Sequence, residues 1–129
     1  MERFPDIEIY LAPIDKDAIL AWLNETFSQT RDWQPSGKGK WRTLFTMAEG
    51  ELPVLLIENA ADRFSSLWLD SSATPWPRDV DCARAAQAAL GVEVRCSLGG
   101  WQPGDEPDRF YRVKAGGEEE VFHWPDSGL

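Results

Sequence analysis

The sequence predicts an α+β fold, a mainly antiparallel sheet of about six to seven strands with two helices on one of its faces. Three observations predict it. Apolar residues alternate along several short stretches, two longer stretches repeat apolar residues every three to four positions behind an aspartate, and Gly- or Asp-bearing turns join the strand-like stretches. At 129 residues, 43% of them hydrophobic, the chain has the length and apolar content of a single globular domain over 1–129 without a linker.

The elements follow in order. Over 6–12, Ile7, Ile9 and Leu11 alternate with Glu8 and Tyr10, the period of a half-buried strand. Pro13 interrupts it. Asp15 can accept a backbone N–H at a helix N-terminus, and Ile19, Leu23 and Phe27 then recur every four residues, which predicts an amphipathic helix over 15–27. Residues 28–40 hold Pro35, Gly37 and Gly39 among polar side chains and read as an exposed loop whose one large apolar residue is Trp33. Strands over 41–48 and 52–58 flank the turn signal Ala48-Glu49-Gly50-Glu51, and a third consecutive strand is expected over 64–70 after a turn over 59–63.

Two prolines around Trp76 make 71–78 an extended entry segment. Asp79 is expected to cap a second helix with the narrow apolar stripe Val80, Ala83, Ala86 or Gln87, and Leu90, ended by Gly91. Val92, Val94 and Cys96 point one way in the next strand, and a loop over 98–108 carries Trp101. A final hairpin over 109–114 and 118–124 closes the chain. If Gly116 and Gly117 form a two-residue turn, Lys114 faces Glu119, Tyr111 faces Phe122, and one face collects Tyr111, Val113, Phe122 and Trp124 with His123 on the other. The order is β-α-β-β-β-α-β-β-β. Each helix opens with D-x-D after a strand and a Pro-bearing loop, so a ferredoxin-like-related arrangement with extra strands is the nearest description.

Charge narrows the function classes. Thirteen Lys and Arg against twenty-two Asp and Glu leave a net charge of −9, a field that repels phosphate backbones and disfavours nucleic acid. A basic protein partner is attracted instead. The opening MERFPDIEIYLAP shows no basic region followed by an apolar run, and no stretch reaches a membrane span, so neither export nor a membrane is expected and the setting reads as cytoplasmic. Cys82 and Cys96 form no CxxC or zinc pattern and read as reduced core thiols.

Catalytic parts are scarce. One His rules against a His/Cys zinc site, and no metal or other cofactor is expected. Asp70, Asp79 and Asp81 read as solvated, capping and helix-dipole acids rather than as cation ligands. Pro35-Ser36-Gly37-Lys38-Gly39-Lys40 lacks the spacing of a phosphate loop and precedes a strand, not a helix. Arg31, Lys38, Lys40 and Arg42 nonetheless form the one basic stretch of an acidic chain. Trp33, Trp76 and Trp101, with Arg31, Arg42 and Arg78 nearby, are the candidate contact residues, because Trp and Arg supply rigid buried area at interfaces.

The expected function is a non-enzymatic protein-binding module, inhibitor- or immunity-like, that engages a basic partner. The alternative is a small-molecule module for an anionic ligand, or a minor enzyme, with an aromatic pocket of Trp41, Trp68 or Trp124 and Arg42 as anchor. A homodimer through an exposed strand edge is a third reading.

Overall fold

The computed structural model describes residues 3–98 and 109–125. These form β1 Ile7–Ala12, α1 Lys16–Phe27, β2 Gln34–Pro35, β3 Lys40–Met47, β4 Gly50–Ala61, β5 Phe64–Leu69, α2 Asp79–Leu90, β6 Glu93–Ser97, β7 Arg109–Val113 and β8 Glu119–His123. The eight strands make one sheet in the order β2-β3-β4-β5-β1-β6-β7-β8, antiparallel at every step. The strand beyond the expected six to seven is β2, two residues inside the stretch read as a loop. Gln34 and Pro35 pair with Arg42 and Trp41.

β1 lies at the centre because it is the most apolar alternating strand. Ile7, Ile9 and Leu11 are fully buried on one face and meet Ile19, Trp22 and Leu23 of α1 and Cys82, Ala83 and Ala86 of α2. Asp15 starts α1 as expected, accepting the Ala18 N–H at 2.8 Å. The start of α2 differs. Asp79 is its first helical residue and Arg78 is the cap, whose N–H is accepted by Asp81 at 3.1 Å. The Asp79 carboxylate instead turns inward and takes the Glu8 N–H and the Ser97 hydroxyl, both at 3.2 Å, which pins α2 to β1 and β6.

The last hairpin is offset by one residue from the expected pairing. Lys114 donates to the Glu118 carbonyl at 2.7 Å around the three-residue turn 115–117, with Gly117 at φ 96°, so Tyr111 faces Val121 and Val113 faces Glu119. Because side chains alternate, that single step moves Phe122 to the opposite face from Tyr111 and Val113. Phe122 joins Phe110, Tyr10 and Phe64 around Trp124. Trp124 is 3% exposed and contacts all four rings at centroid distances of 5.3 to 6.2 Å, roofing that half of the helix-free face.

Candidate functional site

The helix-free face is closed at one end and open at the other. Cross-strand pairing sets Arg42 beside Leu55, Leu55 beside Trp68 and Trp68 beside Glu8, and the next rows hold Leu44 beside Pro53 and Lys40 beside Ile57. Among the described residues no indole roofs the sheet here. Leu44 is 40% exposed, Pro53 is exposed, and Leu55, Ile57 and Trp68 are half-buried. Trp68 is held upright by its Nε1–H, which donates to Asp6 at 2.7 Å. A recess of about 90 Å³ lies between Arg42, Pro53, Leu55, Trp68 and Asp70.

Acids border this strip. Asp6 and Glu8 stand behind Trp68, with Glu8 accepting the Ser66 hydroxyl at 2.8 Å and the Tyr10 hydroxyl at 3.5 Å. Burial first, then the Glu8 carboxylate, pushes the Tyr10 hydroxyl up to about 12, so it stays a proton donor at neutral pH. Asp70 is at the open rim.

The expected contact residues separate into three groups. Trp33 and Trp76 fold back into the core, at 8% and 9% exposure, and present no face to a partner. The Trp33 Nε1–H donates to the Lys16 carbonyl at 2.8 Å, and the Trp76 ring stacks on Trp22 with centroids 5.4 Å apart. The physical reason is that a small core gains more from these large rings than a solvated loop does. Trp101 lies outside the described residues. Arg78 belongs to the start of α2, where it pairs with Asp81 at 3.0 Å and lines a cavity of about 240 Å³ with Phe4, Val80, Arg84, Ser97, Leu98 and Tyr111.

Arg31 and Arg42 do come together. They line one open depression of about 470 Å³ with Thr30, Asp32, Gln34, Thr43 and Leu44 at the β3 edge. Among the described residues Arg84, Arg95, Arg112 and Lys114 are engaged by Glu119, Glu93 and Glu120, whereas Arg31 and Arg42 stand in no ion pair. They are instead held by neutral groups. Asn24 of α1 exchanges hydrogen bonds with the Arg31 backbone at 2.9 and 3.1 Å, the Arg31 guanidinium donates to Gln29 and Thr46, and Arg42 Nε donates to Ser36 at 2.6 Å. Asn24, Gln29, Ser36 and Thr46 gave no signal in the sequence, because their role depends on a helix end meeting a strand edge.

Of the three indoles read as possible pocket walls, only Trp68 stands with Arg42, at the small recess of about 90 Å³, and the three do not share one pocket. Trp41 faces the helices with Lys16 over its ring and its Nε1–H on Glu58, Trp68 faces the other way, and Trp124 is enclosed by its own ring cluster. Cys82 and Cys96 are free, buried thiols, and burial raises both, Cys96 to about 12. Among the described residues no three His, Cys, Asp or Glu side chains are grouped to hold a metal ion, and no helix is long and apolar enough to cross a membrane. Comparison with protein-family models, with curated proteins and with solved structures gave no match.

Proposed function

We propose that this protein is a non-enzymatic protein-binding module, inhibitor- or immunity-like, that engages a basic partner through the open half of its helix-free sheet face. The observation that carries the reading is the contrast within that face. Trp124 covers the apolar side chains at one end, while Leu44, Pro53, Leu55, Ile57 and Trp68 stay accessible at the other, beside Asp6, Glu8 and Asp70. A partly apolar centre with an acidic border on a chain of net charge −9 favours a partner with a cationic rim. We extend the same reading to the fold, where β5-α2-β6 brackets β1 in a split β-α-β that supports a ferredoxin-like-related arrangement.

Capture of partners from a lysate of the source cell, with the protein immobilised, tests it. A partner is expected that is retained by wild type and by A88K on the outer side of α2, lost with L55K, and released as salt is raised from about 0.05 to about 0.5 M. Equal capture by L55K and A88K, or retention indifferent to salt, would remove the reading. The small-molecule alternative has one observation in its favour, the two guanidinium groups without ion pairs at the β3 edge.

A further inference from the structure

The edge of β3 has a one-residue opening. Pro53 of β4 has no N–H, and its carbonyl accepts from the Asp70 N–H at 2.8 Å on the β5 side. Leu44, its partner across the β3–β4 ladder, therefore turns its own N–H and C=O away from β4, toward the outer edge of the sheet. The neighbouring outward positions are taken. Arg42 pairs with Gln34 of β2, and Thr46 is capped by the Gln29 side chain, which accepts the Thr46 N–H at 3.0 Å and donates to the Thr46 carbonyl at 2.8 Å. Among the described residues nothing bonds the backbone of Leu44, which lies in the depression lined by Arg31 and Arg42.

From this edge we infer that the depression is a receptor for the free carboxyl-terminus of an extended peptide. One residue of the peptide exchanges a pair of hydrogen bonds with the Leu44 N–H and C=O, and the terminal carboxylate reaches Arg31 or Arg42. Three features select that ligand. A backbone donor and acceptor side by side on a strand edge match an extended peptide residue and little else. The opening, about 13 Å between the two occupied positions at ~3.3 Å per residue, admits a chain end, while a strand running through would meet Gln29 or β2. Two arginines and Asp32 leave the rim one positive charge, which suits a monocarboxylate better than a doubly charged phosphate. This inference goes beyond the open-face reading, adding a second contact of stated ligand class at the β3 edge.

The test uses N-acetylated Ala-Val-Thr-Val with a free carboxylate and the same peptide amidated, titrated into the full chain and followed by amide chemical shifts. The free acid is expected to move the Leu44 N–H saturably, and amidation to weaken binding about tenfold or more, as loss of a charge-assisted hydrogen bond does. R31Q or R42Q should weaken the acid by a similar factor with the remaining shifts in place. The inference is overturned if the amide binds as well as the acid, if Leu44 does not respond, if neither arginine variant weakens binding, or if sodium acetate at equal concentration produces the same shifts. Failure of the peptide alongside partner capture that L55K abolishes would sink the carboxyl-terminus receptor alone. Peptide binding alongside capture indifferent to L55K would sink the open-face reading alone.

Discussion

Asp79 is the residue whose environment departs furthest from what its neighbours in the chain announce. It stands 8% exposed at the start of α2, and burial pushes its carboxyl from 3.8 to about 6, against the hydrogen bonds from Glu8 and Ser97 that hold it down. The folded protein therefore keeps a proton that the unfolded chain has already lost between those two values. The contribution is fully present below the unfolded value and is lost as pH rises through the folded one, so stability declines from about pH 4 to about pH 6 and then levels off. D79N keeps an acceptor oxygen and removes the charge. It is expected to raise stability by about 1–2 kcal/mol at about pH 7.5 and to change little at about pH 4, read from urea midpoints at both pH values. An equal loss at both would show that the carboxylate itself is required. From the sequence Asp79 could only be read as a cap, because what distinguishes a cap from an anchor is the strand end that meets it.

Among the elements, the tight turn between β4 and β5 stores identifiable strain. Ala61 pairs with Phe64, leaving Asp62 and Arg63 as a two-residue loop at φ 48° and 70°. Both positive values are those of the primed turn that suits the twist of a hairpin, a conformation glycine takes readily and arginine does not. R63G is expected to stabilise the protein by about 0.5–1 kcal/mol in thermal or urea unfolding, and a destabilised variant would show that the Arg63 side chain supports the turn. The strands were legible through their alternation, and their pairing was less so. The Gly116-Gly117 dipeptide favoured a two-residue turn, yet Ala115 joins it, and burial of Phe122 under Trp124 rewards the resulting register. Likewise Gln34 and Pro35 have no strand pattern and become β2 only because β3 offers them an edge.

At the scale of the molecule, the sheet ends in two edges that differ in charge. The β3 side carries Arg31 and Arg42. The β8 side carries Glu118, Glu119 and Glu120 in succession, and the Lys114–Glu118 bond sets the parity that turns the Glu119 and Val121 backbone outward. Glu119 and Glu120 are paired with Arg84, Arg112 and Lys114, so it is the overall charge of −9 rather than this edge that opposes a second copy. Sedimentation velocity at about 0.1 M salt should therefore find a monomer, and a concentration-dependent dimer would overturn that expectation.

What the sequence determined by itself was local: the alternation that makes β1, the capping acid and four-residue repeat that make α1, the acid surplus, and the basic stretch of Arg31, Lys38, Lys40 and Arg42. Tertiary structure decided where these went. Trp33 and Trp76 looked like contact residues because a polar, Pro-bearing neighbourhood reads as a loop, and that reading carries no information about which way an indole turns. Periodicity reports a face along one segment. Whether that face is roofed by Trp124 or left open at Leu55 and Trp68, and whether Leu44 has a partner strand, depends on residues brought together across the sheet from distant parts of the chain.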